Sequence, residues 1–162
     1  LCPQGSYWKR RLPADECGRI LAEIKPQFFE RLDIQLGYNS HNEAYLSELA
    51  EYPATLPVIR ATHKTTVGQY LALVNSADLI LAVDSGTVHV ACAFGKSLLA
   101  FYADFPANIA RWQPYSCEKE NTKMVIGRAI ALDSDATQDY DLEQVTTWLN
   151  CQISKLLKHS DN

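Results

Sequence analysis

The chain has 162 residues, 47% of them apolar and 21% charged, which suits one globular domain with a real core and is short for two. Its net charge of −4 gives no electrostatic case for nucleic acid as the main partner, and no apolar run approaches the roughly 20 residues of a membrane helix. Five scattered cysteines (Cys2, Cys17, Cys92, Cys117 and Cys151) lack any CxxC pair, so they support neither a zinc site nor a disulfide framework and read as reduced thiols.

Leu1-Cys2-Pro3 reads as the tail of a strand, which leads to the expectation that the chain begins part-way through a larger protein. Pro13-Ala14-Asp15-Glu16 opens a helix, with proline tolerated in the first turn and acids favoured by the dipole. Cys17, Ile20, Leu21 and Ile24 recur at helical spacing until Pro26. Leu32 to Leu36 reads as a strand ending at Gly37. Ser40 is expected to cap a helix from His41 to about Glu51 with Ala44, Leu46 and Leu49 apolar. Leu56 to Ile59 is a short strand, and Thr65 or Thr66 caps a helix carrying Val67, Tyr70, Leu71 and Val74 on one face.

Residues Ala77 to Phe101 form the most informative stretch. Leu79 to Val83 run into the turn Asp84-Ser85-Gly86-Thr87, then the apolar run Val88 to Phe94 reads as a helix. Gly95 follows, then a strand from Leu98 to Phe101. Tyr102 to Glu120 reads as a long loop with one helical turn, and Lys123 to Ile126 as a last short strand. Asp141 to Gln144 matches a capping box and opens a helix striped by Leu142, Val145, Leu149, Ile153, Leu156 and Leu157. Strand and helix alternate about five times, so the expected fold class is α/β, a doubly wound parallel sheet.

The turn after the central strand lies where such sheets bind ligands. Ser85, Gly86 and Thr87 open a helix whose first N–H groups have no intrahelical acceptor and whose dipole is positive there, which suits a phosphate or diphosphate. Gly86 lets a ligand approach the backbone, and Ser85 and Thr87 offer hydroxyls. His89 lies on the same helix face. A plainer role fits the same residues: Asp84 or Ser85 capping the helix and His89 packed. A second cluster, Gln4-Gly5-Ser6-Tyr7-Trp8-Lys9-Arg10-Arg11, follows the first strand stub and is expected to open on the same sheet edge, where its cations can neutralise a diphosphate. The alternative is a solvated basic tip.

The block from Ala77 to Tyr115 resembles the C-terminal half of the ADP-heptose:lipopolysaccharide heptosyltransferases, glycosyltransferase family 9. That family carries a pattern close to Asp-Thr-Gly-x-x-His-x-x-x-Ala-x-Gly-Lys-Pro. Here it reads Asp84-Ser85-Gly86-Thr87-Val88-His89, then Ala93-Phe94-Gly95-Lys96-Ser97, with Pro106-Ala107 and Arg111-Trp112 in the following loop. Lys9-Arg10-Arg11-Leu12-Pro13 matches the family's basic segment before a proline. Ser85 stands for the usual threonine, Ser97 for proline, and Gln4-Gly5 where hydroxyl residues are commoner.

The resemblance implies a Rossmann-like, nucleotide-sugar-binding domain of a GT-B fold spanning residues 1–162, without the N-terminal acceptor domain. It implies the donor half of an inverting, metal-independent glycosyltransferase of lipopolysaccharide core synthesis, with no cofactor and an ADP-heptose-like donor. The diphosphate would be held by Ser6, Lys9, Arg10, Asp84, Ser85, Gly86, Thr87 and His89. The catalytic base would be an Asp of the other half, which would also contact the lipopolysaccharide acceptor. Asn42 or Glu43 is placed for the ribose, though either also serves as a helix-start residue. Thr65 falls near the family's base pocket, beside the competing account of a plain cap at Thr66. Trp8, Trp112 and Tyr115 suit stacking on sugar or base, or anchoring of their loops. The implied location is cytoplasmic, at the inner face of the bacterial inner membrane where it associates peripherally. Two further readings stay open: a transferase with another nucleotide sugar, and a non-catalytic nucleotide-sugar-binding domain. A Ser/Cys hydrolase is disfavoured, because Ser85 lacks a GxSxG elbow.

Overall fold

The computed structural model describes residues 1–5, 10–129 and 137–159. They fall into two compact units: Leu1 with Ala14–Lys64 and Asp141–Asn162, and Cys2–Pro13 with Thr65–Tyr140.

In the first unit, α1 (Ala14–Ala22) buries Cys17, Ile20 and Leu21, the apolar face read from the sequence. A 3-10 turn, Pro26–Arg31, follows and buries Phe28. Short strand β1 (Ile34–Leu36) pairs in parallel with β2 (Ile59–Ala61), in the register Ile34 with Ile59. Between them, α2 (Asn42–Ala50) buries Asn42, Tyr45 and Leu49. The expected face was different: Ala44 is exposed and Leu46 half-buried, because Tyr45, one residue on, takes the inward position. Nor does Ser40 cap the helix. His41 occupies the cap position without a side-chain bond, and Asn39 Oδ1 accepts from the His41 N–H at 3.0 Å, an Asx turn ahead of the helix.

Helix α1 runs close to the segment after α2. A Cβ on Gly18 would come within 2.6 Å of the Tyr52 ring, so only glycine permits this approach. The final helix of the chain, α6 (Leu142–His159), buries Val145, Leu149 and Ile153 along the expected stripe. Asp141 Oδ1 accepts from the Gln144 N–H at 2.9 Å at its start. The Asn150 side chain ties α6 to the end of α1, donating to Glu23 O at 2.8 Å and accepting from Lys25 N at 3.0 Å.

The second unit is built on a four-stranded sheet. Strands β3 (Leu79–Val83), β4 (Ser97–Ala103) and β5 (Thr122–Ala129) are parallel, in the order β3-β4-β5. All seven residues of β4 are buried, as a strand covered on both faces requires. The two-residue strand β6 (Thr137–Gln138) pairs antiparallel to β5, an element the sequence did not signal. On the other side of β3, Cys2 bridges Ala82 in parallel, so the chain leaving Cys2 emerges on the same edge as the chain leaving β3.

Helix α3 (Val67–Ser76) precedes β3. Thr66 is its cap, with a full capping box to Gln69. Val67, expected on the packed face, is exposed, because it sits in the first turn before the helix reaches the core. Helix α4 (Gly86–Ala93) joins β3 to β4 and buries Thr87, Val88 and Ala91. It ends in a Schellman motif: Lys96 N–H donates to Ala91 O at 3.0 Å and Gly95 N–H to Cys92 O at 3.1 Å, with Gly95 at φ +63°. The long loop after β4 holds more helix than expected, α5 (Pro106–Trp112), opened by proline. Val74, Ile80, Ala82, Val88, Leu98 and Tyr102 form the core of this unit. Among the described residues, no helix is long and apolar enough to cross a membrane.

Candidate functional site

The site lies at the carboxyl ends of β3 and β4 in the second unit, where the first turn of α4 begins. Asp84 closes β3, its N–H donating to Phe101 O at 2.9 Å. Only 9% of Asp84 is exposed. A buried carboxylate needs partners: among the described residues, Asn108 of α5 donates to Oδ2 at 2.6 Å, and Arg10 Nη1 lies 3.8 Å from the same oxygen.

Ser85 occupies the cap position of α4 in extended backbone, φ −163° and ψ 173°, yet makes no capping bond. Its Oγ is buried and has no partner among the described residues. The plain-cap account of Ser85 therefore fails on geometry. Gly86 is exposed, and a Cβ there would meet nothing within 4 Å, so the space over the first turn is open. Val88 N–H already donates to Ser85 O at 3.1 Å, while the N–H groups of Gly86 and Thr87 come too early in the helix for an i−4 acceptor within it.

Thr87 departs from expectation. It is buried, and its hydroxyl is 2.5 Å from the Tyr70 hydroxyl, so its oxygen braces α4 against α3 and only its backbone N–H serves the turn. Burial, partly offset by this bond, raises the Tyr70 pKa and keeps the phenol neutral.

His89 is exposed one turn further along. Its ring meets Trp112 at a centroid distance of 5.9 Å and a tilt of 59°, and the Arg111 guanidinium lies 5.1 Å from the Trp112 ring. His89 is thus exposed, with its ring against Trp112, and is not buried in the core. Helix α5 is held from beneath by Tyr102, whose hydroxyl donates to Trp112 O at 2.8 Å. Burial and then the nearby Asp84 charge push the Tyr102 pKa far up, so the hydroxyl remains a donor.

Arg10 arrives on the chain leaving Cys2. Gln4 and Arg11 form an antiparallel bridge, and Gly5 N–H donates to Arg10 O at 2.7 Å. The basic segment and the Asp84 turn therefore open on one edge, as the parallel-sheet argument requires. Ser6, Lys9 and Trp8 lie outside the described residues. A small cleft is lined by Arg10, Asp84 and Asn108 and by the apolar Val83, Phe101 and Phe105. A guanidinium, helix-start N–H groups and a partnerless hydroxyl make an edge suited to an anion.

The remaining expected residues are spread over both units. Asn42 and Glu43 open α2 in the first unit. Asn42 donates through Nδ2 to Gly37 O at 3.1 Å, and its buried Oδ1 has no partner among the described residues. Glu43 is exposed. Thr65 belongs to the second unit and precedes the cap of α3, which is Thr66.

The family model described as "Glycosyltransferase family 9 (heptosyltransferase)" matches residues 34–151. The chain belongs to glycosyltransferase family 9. Solved structures agree with this family 9 assignment at the level of fold. The E. coli heptosyltransferase WaaC with ADP is 13% identical, with a TM-score of 0.65 over 93% of this chain and 42% of that one. The E. coli ADP-heptose lps heptosyltransferase II is 19% identical, with a TM-score of 0.66 over 95% of this chain and 45% of that one. A family 9 glycosyl transferase from Veillonella parvula DSM 2008 is 17% identical, with a TM-score of 0.66 over 93% of this chain and 44% of that one. The family 9 chain thus spans less than half the length of these solved relatives. No curated protein matches it significantly. The fold is the Rossmann-like α/β type of the GT-B heptosyltransferases.

One site residue was missed by sequence reasoning. Asn108 sits two residues after Pro106 in the segment read as loop. Its only sequence signal is its place beside the family-like Pro106-Ala107 element.

Proposed function

We propose that residues 1–162 form the donor-binding half of an inverting, metal-independent glycosyltransferase that takes ADP-heptose or a similar nucleotide sugar in lipopolysaccharide core synthesis. The observation that carries this reading is the buried, partnerless Ser85 Oγ at the open first turn of α4, with Arg10 on the same edge. The diphosphate takes the N–H groups of Ser85, Gly86 and Thr87, the Ser85 hydroxyl and the Arg10 guanidinium. His89 reaches it from the next turn, and Ser6 and Lys9 belong to the same basic segment.

As the sugar leaves, negative charge grows on the diphosphate, and fixed donors aimed at that charge lower the barrier. The acceptor hydroxyl attacks the anomeric carbon from the opposite face, which inverts it. Its proton passes to an Asp of the N-terminal half, which also holds the lipopolysaccharide acceptor. Asn42, Glu43 and Thr65 serve the nucleoside. The expected setting is cytoplasmic, at the inner membrane face. The ADP of the WaaC structure, a protein of the same fold, supports a nucleotide diphosphate as the ligand.

Calorimetric titration with ADP tests this. Binding below millimolar concentration is expected, weakened about 10-fold in Arg10→Ala and in His89→Ala, a loss of about 1.4 kcal/mol each. The chain by itself is expected to bind without transferring sugar. No binding at millimolar ADP overturns the reading. Unchanged affinity in both variants overturns the site assignment. Tighter binding of UDP or CMP than of ADP replaces the donor.

A further inference from the structure

We propose that Asn108 is a specificity-determining residue of the donor site, offering its side-chain carbonyl oxygen to a hydroxyl of the transferred sugar. The inference rests on the donor-binding reading above and adds to it a residue that contacts the sugar.

The orientation of the Asn108 amide follows from its partner. Its nitrogen donates to Asp84 Oδ2 at 2.6 Å. A carboxylate only accepts hydrogen bonds, so this contact requires the NH2 end of the amide and leaves the carbonyl end for another donor. Among the described residues, nothing donates to Asn108 Oδ1 or to Asp84 Oδ1. Neither oxygen belongs to the buried polar atoms that lack a partner, so both keep access to solvent. Both residues line the small cleft at the carboxyl edge of β3 and β4, whose apolar wall is Val83, Phe101 and Phe105.

Two open acceptors beside an anion-binding turn are the wrong chemistry for an ionised phosphate, whose oxygens also only accept. They suit hydroxyl groups, which donate. A nucleotide sugar carries hydroxyls on the group bonded directly to its diphosphate. With the diphosphate on the first turn of α4, a sugar lying toward Asp84 puts a hydroxyl at these oxygens and its C–H surface against the apolar wall. The cleft admits a hydroxyl rather than a whole ring. Helix α5 presets the amide: Pro106 opens it, Asn108 N–H donates to Phe105 O at 2.9 Å, and Tyr102 holds its far end through Trp112 O at 2.8 Å. A preset acceptor discriminates against a ligand that brings no hydroxyl to it.

The test is calorimetric titration of the chain and of Asn108→Ala with ADP and with ADP-heptose. The parent is expected to bind ADP-heptose more tightly than ADP. Asn108→Ala should weaken ADP-heptose about 5-fold and leave ADP within about 2-fold of the parent, since ADP has nothing beyond its β-phosphate to place there. A merely structural role would weaken both ligands alike. Equal losses for the two ligands, unchanged ADP-heptose affinity in Asn108→Ala, or a parent that binds both equally overturns the inference alone. Failure of the parent to bind either ligand overturns the donor reading, and the inference with it. Should Asn108→Ala not fold, the parent decides by NMR. Its Asn108 side-chain amide resonance should shift with ADP-heptose and not with ADP; an equal shift with both, or none with either, overturns the inference.

Discussion

Cys17 shows how a single buried group sets a pH limit on the fold. Its side chain is completely buried in α1, and burial raises the thiol pKa from 9.0 to about 11, against a smaller lowering by a hydrogen bond with Tyr45. The folded state therefore holds this proton more tightly than the unfolded chain does. The group's contribution is full below pH 9 and is lost as pH climbs through about 11. Chemical denaturation across that interval should show stability falling by about 2 kcal/mol more in the parent than in Cys17→Ala. At the same scale, the candidate site is readable where it lies in contiguous residues. Asp84, Ser85, Gly86 and His89 follow one another from the end of β3 into α4. Asn108 was not legible, because its bond to Asp84 spans 24 positions and depends on where α5 lands. The Thr87 hydroxyl was misjudged for the same reason: its partner, Tyr70, sits on another helix.

Among the elements, caps and stripes carried most of the readable information. The Thr66 box, the Asp141 start and the α6 stripe depend on residues within one or two turns of each other, so local spacing suffices. The α2 face and strand β6 depend on what packs against them, which spacing does not encode. Thr66→Ala removes the bond to Gln69 N at 3.3 Å and should cost about 1 kcal/mol in thermal unfolding. The Gly18 contact with Tyr52 is the opposite case, a position where an added methyl harms. Gly18→Ala should cost about 1–3 kcal/mol by the same measurement, with little loss in Tyr52→Ala, where the ring is gone.

For the molecule as a whole, alternation of strand and helix was enough to read an α/β fold with a parallel sheet, and the family model and solved structures agree with it. The net charge of −4 sets the chain as a whole against an anionic ligand, so affinity must come from the local donors at the β3 edge. Strand β6 has a consequence for the molecule's solubility. By running antiparallel along β5 it occupies hydrogen-bonding groups that would otherwise be offered to a second chain, and its two-residue length gives an intruder little to extend. Gly127 makes this closure feasible, since a Cβ there would lie 2.6 Å from Gln138 O. Gly127→Val should consequently reveal itself first by light scattering, as self-association at high concentration, while freshly prepared monomer keeps its nucleotide affinity.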